Sequence, residues 1–319
     1  MQEPGPGVTV VVVTWQGAHL LGPCLDSLAR QTVPHDVLVV DNASTDETPD
    51  VLARYPQVQV VRTSRNLGFA GGAQLGLEAA RTEFVALLNN DAWAEPTWLS
   101  ALLTAAQAHP EAAAITSLLL LDGTDPPRVN NAGVDLLPTL YGADRAAGAA
   151  PEDVARPAEV FGFSGGAALL RRGPAREVGG FPERYFLYYE DTDLSWRLRL
   201  AGWTIRYEPT AVVHHRHAAS SDVRSPLFAF HNERNRLLLL VRCAPALPAV
   251  RAWVRFCLTT ASLAVRQVLT RPPQQPHNLR IGLRTRVLLS AGRLLPWALG
   301  ARRRIRPGKG RPVDPGLSG

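Results

Sequence analysis

A polar cluster near residue 90 has the composition of a metal or phosphate site. Residues 84–88 read Phe-Val-Ala-Leu-Leu, and Asn89, Asn90 and Asp91 follow them. This order predicts a buried strand that presents a carboxylate at its carboxyl end, which is where open α/β sheets bind ligands. Asp91 is suited to hold Mg²⁺ or Mn²⁺ against a phosphorylated substrate, because hard cations prefer oxygen ligands. The structural alternative is an Asx turn that caps a helix starting near Pro96.

Two further acidic groups follow apolar or aromatic runs. Asp41 ends the apolar run 37–40, and Glu190 and Asp191 follow the aromatic run 185–189. An aromatic setting can desolvate a carboxyl group and tune it as a general base. Acids at a helix start also favour the helix dipole, so a purely structural role stays open for the second group.

A group of histidines offers further metal ligands. His214, His215 and His217 follow the apolar residues 211–213. Three imidazoles within four positions favour a metal ligand and a structural role about equally.

Two glycine-rich segments are candidates for close approach to a ligand. Residues 65–73 read Arg-Asn-Leu-Gly-Phe-Ala-Gly-Gly-Ala, and residues 161–166 read Phe-Gly-Phe-Ser-Gly-Gly. Such turns bring backbone N–H groups near phosphate, but residues 65–73 lack the full dinucleotide or P-loop spacing. A helix that packs closely on the sheet explains the first segment equally well.

The elements that must position these residues alternate between strand and helix. Continuous β-branched runs predict buried parallel strands, and the intervening apolar spacing predicts helices. We predict strands at residues 8–13, 37–40, 58–61, 84–88, 113–120, 167–170, 204–207 and 211–213. The alternation indicates a doubly wound α/β fold. Residues 143–157, rich in Ala, Gly and Pro, predict a flexible loop over the site.

Composition places the chain among folded proteins. Its 319 residues are 46% hydrophobic, which is enough for a sizeable core. Cys24, Cys243 and Cys257 have neither disulfide nor zinc-site spacing, which favours a reducing cytosol. The first seven residues lack a basic segment followed by an apolar core, so we expect no secretory signal.

Charge divides the chain into two unlike parts. Residues 224–319 carry 18 basic and two acidic side chains, a net charge of +16, whereas residues 1–223 carry a net charge of −10. We therefore expect a catalytic domain at 1–223, a basic helical region at 224–306 and a disordered tail at 307–319. The basic part predicts an anionic partner.

Helical periodicity in the basic region indicates a surface helix. Apolar residues from Val250 to Val268 fall on one face, with Arg251, Arg255 and Arg266 on the other. Residues 279–299 repeat this character less cleanly. Neither run is long and apolar enough for a membrane span. Docking on an anionic membrane surface is one hypothesis, and packing of these helices on the catalytic domain is the other. Nucleic-acid binding is disfavoured, because no aromatic side chains alternate with the arginines.

The motifs in their joint order resemble the family-2 inverting glycosyltransferases of the GT-A fold, especially bacterial rhamnosyltransferase-like members. The resemblance covers about residues 8–236 and rests on the following segments: Val-Val-Thr-Trp at 12–15, Val-Asp-Asn-Ala-Ser-Thr-Asp at 40–46, Asn-Leu-Gly-Phe-Ala-Gly-Gly at 66–72, Leu-Asn-Asn-Asp at 88–91, Gly-Phe-Ser-Gly-Gly at 162–166, Glu-Asp-Thr-Asp-Leu at 190–194 and Val-His-His at 213–215. The run 231–240 also looks like the Arg- and Asn-rich helix of this family. The resemblance implies a mostly parallel GT-A sheet with flanking helices.

The resemblance also implies residue roles. Asp91 matches the last acid of the family's Asp-X-Asp metal motif, with Asn89 at the first position, and His215 or His214 would complete the metal site. Asp191 matches the general base, with Glu190 supporting it or contacting the acceptor. The residues that match the nucleotide or donor site are Thr14, Asp41 (reading the base), Arg65, Asn66, Gly68, Asn89, Asn90 and Asp91. Acceptor-site candidates are Gly165, Gly166 and Trp196.

The expected reaction is metal-assisted transfer of a sugar, with inversion, from a nucleotide diphosphate donor. By resemblance the donor is dTDP-rhamnose or a UDP-sugar, and the acceptor is a glycan or lipid-linked glycan, as in the synthesis of cell-envelope polysaccharide. We expect a cytoplasmic protein, peripheral to the inner face of the cell membrane. One alternative is a degenerate relative that serves as a membrane-peripheral scaffold. A nucleotidyltransferase is a second alternative, but residues 14–17 lack the basic phosphate-binding groups that it requires.

Overall fold

The computed structural model describes residues 7–216, 225–270 and 276–303. The strands are β1 (Val8–Thr14), β2 (Asp36–Asp41), β3 (Gln59–Arg62), β4 (Phe84–Leu88), β5 (Ala92–Ala94), β6 (Ala112–Leu121), β7 (Val129–Asn131), β8 (Val134–Leu136), β9 (Gly142–Asp144), β10 (Ala158–Glu159), β11 (Ala167–Arg171) and β12 (Thr204–His215). The helices are α1 (Ala18–Ala29), α2 (Thr48–Leu52), α3 (Gly68–Ala79), α4 (Trp98–Ala108), α5 (Arg172–Glu177), α6 (Glu190–Leu200), α7 (Pro226–Cys243), α8 (Ala246–Thr270) and α9 (Ile281–Arg302). Single 3₁₀ turns lie at Pro151–Val154, Glu183–Tyr185 and His277–Leu279.

The central sheet is mostly parallel, as the apolar runs predict. Its order is β10-β12-β6-β11-β4-β1-β2-β3. Strand β1 is parallel to β2 and β4, and β12 is parallel to β6, whereas β11 is antiparallel to both of its neighbours. Every residue of β1 and β4 is buried, because helices cover both faces. The predicted α/β fold class is confirmed.

The parallel strands bring their polar ends to one edge. Thr14, the last residue of β1, is in register with Asp41, the last residue of β2. Strand β4 lies on the other side of β1 and ends at Leu88. The polar residues 89–91 therefore begin at the same edge as Thr14 and Asp41, which is where this class of sheet binds ligands.

Helix α3 packs unusually closely on the sheet through its glycines. A Cβ atom at Gly72 would lie 2.5 Å from Val13, and one at Gly76 would lie 2.3 Å from Val11. Both glycines are therefore needed for helix–sheet packing. Of the glycine-rich segment, Asn66, Gly68 and Phe69 border the first of the two cavities described below.

Two expectations about local structure are corrected. Residues 204–207 and 211–213 belong to the single strand β12, which has a bulge between Glu208 and Val212, where Pro209 cannot donate a ladder hydrogen bond. The expected loop at residues 143–157 contains some regular structure. It includes part of β9 and a 3₁₀ turn, and the Arg145 and Gly148 N–H groups donate to Gly133 and Val129. These hydrogen bonds join positions that are far apart in the sequence, and the periodicity of the sequence does not reveal them.

The C-terminal helices share a hydrophobic cluster with the N-terminal part of the chain. Tyr185 and Trp196 lie in one cluster with Leu239 of α7 and with Ala291 and Ala298 of α9. Helices α7 and α9 thus pack against the N-terminal part of the chain. The expected domain boundary at 223 and the tail at 307–319 lie outside the described residues. No helix among the described residues is both long and apolar enough to cross a bilayer.

Candidate active site

Two adjoining cavities open at the carboxyl edge of the sheet. The first has a volume of about 580 Å³ and is bordered by Thr14, Asn42, Asn66, Gly68, Asn90 and Phe186. The second has a volume of about 290 Å³ and is bordered by Asp91, Asn130, Asp144, Tyr189, His215 and Asn232. Five residues border both cavities, namely Asn89, Gly166, Tyr188, Glu190 and Asp191. The two carboxyl groups of residues 190 and 191 therefore lie where the cavities meet.

An acid and an imidazole meet at the side of the second cavity. His215 Nε2 lies 3.0 Å from Asp91 Oδ1 and 3.4 Å from Asn89 Nδ2. Asp91 is 5% exposed. Strand β5 follows Asp91 directly and pairs with the end of β12, with His215 opposite Ala92. This antiparallel pairing brings the two side chains together.

Asn130 fixes the orientation of the His215 ring. The Asn130 Oδ1 atom lies 2.7 Å from His215 Nδ1 and can accept a hydrogen bond from it. The other ring nitrogen, Nε2, thereby faces Asp91. Sequence reasoning missed Asn130, which lies in the short strand β7 after an irregular stretch with no recognisable motif.

His214 points away from this pair. Its ring stacks on Trp93 with the ring centroids 3.7 Å apart, and Nε2 lies 3.2 Å from Glu95 Oε1. Successive strand residues face opposite sides of a sheet, so only one of two adjacent histidines can reach Asp91. The third histidine of the cluster, His217, lies outside the described residues.

The Asp91–His215 pair has donor chemistry that fits a divalent cation. An imidazole nitrogen and a carboxylate oxygen 3.0 Å apart are both atoms that divalent cations accept as ligands. Among the described residues no group of three or more His, Cys, Asp or Glu side chains is arranged to hold a metal. Two protein ligands suffice for Mg²⁺ or Mn²⁺ when substrate phosphates and water supply the rest.

Asp191 is held in place by N–H and O–H donors from two elements. Its Oδ2 atom accepts from the Gly165 N–H at 2.9 Å, and its Oδ1 atom accepts from the Thr192 N–H at 2.6 Å and the Thr192 hydroxyl at 3.1 Å. Burial raises the pKa of Asp191 although these hydrogen bonds lower it. The result is an oriented carboxylate that binds a proton more readily than an exposed aspartate.

Glu190 is a buried carboxyl group of a different kind. It is 5% exposed, and its Oε2 atom has no hydrogen-bond partner within the described ranges. Burial and the neighbouring Asp191 charge raise the pKa of Glu190 well above its ordinary value. A protonated Glu190 beside an ionised Asp191 would be able to donate a hydrogen bond into either cavity.

Asp193, the third acid of the 190–193 group, has a structural role. It is fully buried and accepts hydrogen bonds from Arg197 Nε at 2.6 Å, Tyr185 Oη at 2.9 Å and Arg242 Nη2 at 3.1 Å. Burial opposes its ionisation, but the charges of Arg242 and Arg197 outweigh that effect and hold the pKa of Asp193 below its ordinary value. This network ties α6 to α7.

The segment before Glu190 has an unusual backbone that α7 holds in place. Phe186, Tyr188 and Tyr189 have φ values of 66°, 68° and 71°. Such values cost a non-glycine residue ~1–3 kcal/mol each and persist only where the surroundings impose them. Asn235 Nδ2 of α7 donates to the carbonyl groups of Tyr185, Leu187 and Tyr188 at 3.1, 2.8 and 2.7 Å.

Arg234 of α7 holds the same segment, because its Nη2 atom donates to the carbonyl groups of Tyr185 at 2.6 Å and Arg184 at 3.2 Å. The Arg- and Asn-rich helix thereby positions the two carboxyl groups of residues 190 and 191. The run 231–240 was the only sequence signal for this role, and it did not identify the contacts.

The first cavity contains most of the predicted donor-site residues. Asn90 Nδ2 donates to the Thr14 hydroxyl at 2.9 Å, which joins the ends of β1 and β4. Asn66 Oδ1 accepts from the Gly68 N–H at 2.7 Å. Gly68 has a φ of +71°, and a Cβ atom there would lie 2.0 Å from the Phe186 carbonyl oxygen. Only glycine fits this contact between the glycine-rich turn and the segment that precedes Glu190.

Asp41 and Arg65 lie beside this cavity without bordering it. Asp41 is 1% exposed, its Oδ1 atom accepts from the Ser44 N–H at 2.9 Å, and Arg62 lies 3.5 Å from Oδ2. The carboxylate therefore shapes the turn after β2, and Asn42 is the residue of this turn that borders the cavity. Arg65 is exposed.

Two of the three acceptor-site candidates lie at the cavities. Gly165 and Gly166 border the first cavity, and the Gly166 carbonyl accepts from the Asn89 N–H at 2.9 Å. The third candidate, Trp196, was predicted at the acceptor site but borders neither cavity. It is 2% exposed in the hydrophobic cluster and makes an edge contact with Phe161, because α6 turns this position away from the cavities.

Comparisons with known proteins agree with this geometry. The family model described as "Glycosyl transferase family 2" matches residues 9–179. The "N-acetylglucosaminyl-diphospho-decaprenol L-rhamnosyltransferase" of Mycobacterium tuberculosis is 36% identical over 251 residues, which are 70% of this chain and 80% of that relative.

Two solved structures have a similar fold. A mannosyltransferase from Pyrobaculum calidifontis, in complex with GDP-Man and Mn²⁺, has a TM-score of 0.56 and 19% identity, over 92% of this chain and 88% of that one. S. aureus TarS in complex with UDP-GlcNAc has a TM-score of 0.55 and 17% identity, over 93% of this chain and 87% of that one. At such identities the similarity concerns the fold alone.

Proposed function

This chain belongs to glycosyl transferase family 2, and we propose that it is an inverting enzyme that moves a sugar from a nucleotide diphosphate donor to a hydroxyl group of a lipid-linked glycan. Its membership in the family makes it a glycosyltransferase. The donor, the metal, the base and the acceptor class are the parts that we propose.

The observation that carries the proposal is the position of Asp191 between the two cavities. Asp191 borders both the cavity at the ends of β1 and β4 and the cavity that contains Asp91 and His215. A transferase must bring a donor and an acceptor together at one base, which requires two binding spaces that meet there. We assign the nucleoside to the first cavity, the diphosphate to the junction of the two cavities at Asn89, beside Asp91 and His215, and the acceptor to the rest of the second cavity.

Asp191 is the proposed general base. It removes the proton from the acceptor hydroxyl as the acceptor oxygen bonds to the anomeric carbon, and the bond from that carbon to the diphosphate oxygen breaks in the same displacement. Inversion follows from this single in-line step. A positioned base contributes ~10²–10⁴-fold to such a rate. The donors from Gly165 and Thr192 keep the Asp191 carboxylate oriented for this step.

Glu190 has a supporting role in the proposal. Burial raises the pKa of Glu190 well above its ordinary value, and in its protonated form Glu190 would donate a hydrogen bond to a sugar hydroxyl while Asp191 accepts the proton. The raised pKa of Glu190 thus separates the tasks of two adjacent carboxyl groups.

Asp91 and His215 would hold a divalent cation, Mn²⁺ or Mg²⁺, with Asn89 beside them. When bound, the cation would neutralise the charge that develops on the leaving diphosphate. Thr14, Asn66, Gly68 and Asn90 border the space proposed for the nucleotide. Base reading by Asp41 and phosphate binding by Arg65 stay predictions, because both require a side-chain movement into the first cavity.

The donor and acceptor are proposed from the similar protein of known activity. Its name specifies L-rhamnose transfer to N-acetylglucosaminyl-diphospho-decaprenol. We propose dTDP-rhamnose as the donor, with a UDP-sugar as the alternative, and a polyprenyl-diphosphate-linked sugar as the acceptor. Such an acceptor lies in a membrane, so the proposal includes a peripheral location at the inner face of the cell membrane and a role in cell-envelope polysaccharide synthesis.

The test is transfer by the purified full chain with Mn²⁺ or Mg²⁺. Donors would be dTDP-rhamnose and a set of UDP-sugars, and the acceptor would be N-acetylglucosaminyl-diphospho-polyprenol in detergent. We expect product from dTDP-rhamnose and loss of product on adding EDTA. Binding of a nucleotide sugar in a thermal-shift assay, with neither transfer nor donor hydrolysis for any member of the set, would favour the scaffold alternative.

A further inference from the structure

Helix α8 carries a stripe of exposed apolar side chains along its whole length. Its large members, 50–76% exposed, are Leu247, Val250, Val254, Leu258, Val265 and Leu269. They recur every three, four or seven positions, so they share one helix face. At 1.5 Å per residue the stripe is ~33 Å long. An apolar stripe of this length marks an interaction surface.

The opposite face of α8 is anchored, which fixes the direction of the stripe. Phe256 and Thr260 are buried. Trp253 Nε1 donates to the Leu237 carbonyl of α7 at 3.1 Å. Arg284 of α9 donates to the Thr260 hydroxyl at 2.9 Å and to the Phe256 carbonyl at 3.1 Å. These contacts to α7 and α9 turn the stripe outward, away from the rest of the protein.

On α8 itself the charges beside the stripe are all positive. Arg251, Arg255 and Arg266 are exposed on α8, and the helix contains no acidic residue. At 100° per residue Arg255 and Arg266 project between the apolar stripe and the anchored face, and Arg251 lies at the edge of the stripe. The one acid of α7–α9, Glu233, is buried and lies 3.3 Å from Arg236. The partner of this surface must therefore tolerate or supply negative charge.

We propose that the exposed face of α8 docks on an anionic lipid bilayer. The apolar stripe would enter the boundary between head groups and acyl chains, and the three arginines would lie at the level of the lipid phosphates. A second copy of the chain fits less well, because it would bring two strongly basic surfaces together. Residues 304–319 also fit less well, because they contain only Ile305, Val313 and Leu317 as large apolar residues.

Helix α7 contacts both α8 and the proposed acceptor cavity. Helix α8 packs on α7, and Phe228 and Asn232 of α7 border the second cavity. A lipid-linked acceptor would thus reach that cavity from the surface on which α8 rests. This link rests on the proposed function, whereas lipid binding by α8 does not.

Co-sedimentation of the full chain with vesicles tests the docking. We expect binding to phosphatidylcholine vesicles that contain 30% phosphatidylglycerol, and a loss of at least ten-fold in binding for Val254→Glu/Leu258→Glu. The control is Val60→Glu on the edge strand β3, where the side chain is 46% exposed. Arg251→Ser and Arg255→Ser should each weaken binding about five-fold. Circular dichroism would verify that each variant is folded.

Several outcomes would overturn the docking proposal. One is that the protein does not sediment with anionic vesicles. Another is that it sediments equally with pure phosphatidylcholine vesicles, and a third is that the α8 double variant binds as well as wild type. If analytical ultracentrifugation shows a dimer for wild type and a monomer for the double variant, the stripe is assigned to a second copy instead. Transfer to a detergent-dispersed acceptor should survive in the double variant. If wild-type protein binds vesicles but transfers no sugar to the detergent-dispersed acceptor, the proposed function is rejected and the docking proposal is unaffected.

Discussion

His215 Nε2 lies 3.0 Å from Asp91 Oδ1, although 124 residues separate the two in the chain. The contact exists because β5, which starts one residue after Asp91, pairs with the last residues of β12. The sheet thus places one imidazole and one carboxylate at the side of the second cavity, which the proposed base Asp191 also borders.

Replacing His215 should weaken metal binding, and replacing its neighbour should not. We expect His215→Ala to lower the affinity for Mn²⁺ in the presence of nucleoside diphosphate by at least ten-fold, because one of two protein ligands is lost. His214→Ala is the matched control, since His214 stacks on Trp93 instead. Isothermal titration calorimetry would measure both. Equal loss in the two variants would contradict the assignment of His215.

Asn130 should act through His215. Removing a hydrogen-bond partner of a metal-binding histidine typically costs 10–100-fold in affinity. We therefore expect Asn130→Ala to weaken Mn²⁺ binding by about that factor, whereas Asn130→Asp, which keeps an acceptor oxygen, should bind Mn²⁺ better than Asn130→Ala. Electron paramagnetic resonance of free Mn²⁺ gives the affinities without an activity assay. If the two substitutions are equivalent, Asn130 does not position the ring.

Two aspartates two residues apart should respond oppositely to the same substitution. Asp191→Asn should lower kcat by ~10²–10⁴-fold while donor binding survives, because the base is lost. Asp193→Asn should instead cost ~3–5 kcal/mol of stability, because it leaves Arg197 and Arg242 buried without their counter-charge. Urea denaturation and steady-state kinetics on both variants would separate the roles. A stable Asp193→Asn or a fully active Asp191→Asn would refute them.

The pH dependence of Asp193 has a defined sign. Its folded pKa is held below its ordinary value, so its contribution to stability is complete at neutral pH. That contribution is lost as pH falls from the unfolded pKa through the folded pKa. The stability difference between wild type and Asp193→Asn should therefore shrink in acid.

The rate should also depend on pH through Asp191. The base works in its ionised form, so kcat/KM should rise with pH through an acid limb that lies above the ordinary aspartate value of 3.8, because burial raises the pKa. Thr192→Val removes a hydroxyl that stabilises the ionised form and should move the limb to higher pH. An unmoved limb would show that another group controls it.

Asn235 should control kcat from outside the cavities. Asn235→Asp keeps the shape but places a carboxyl group against the carbonyl oxygens of Tyr185, Leu187 and Tyr188. We expect kcat to fall at least ten-fold with little change in the KM for the donor, because the carboxyl groups of residues 190 and 191 lose their positioning. Asn278→Asp makes the same chemical change at an exposed position and should be neutral. Equal kinetics in both variants would show that Asn235 does not position the carboxyl groups of residues 190 and 191.

The amino-acid sequence alone was sufficient for the framework of this protein. Buried β-branched runs specify parallel strands because such strands are covered on both faces, and the residues after each run must then appear at one edge. Residues 89–91 could be located in this way, and the order of the motifs identified the family. The glycines at 72 and 76 show the limit of this approach, since spacing alone does not distinguish packing against Val11 and Val13 from phosphate binding.

Side-chain direction was decided only by the tertiary structure. Strand residues alternate between faces, so the register of β12 on β5 determined that His215, and not His214, meets Asp91. The tertiary structure also brought Asn130, which lies in a strand with no recognisable motif, into contact with His215. On α6 and α8 the periodicity identified helices, but their neighbours decided which face each one buries. Those neighbours buried Trp196 and left the apolar stripe of α8 exposed, because burial depends on what packs against a helix as well as on its own sequence.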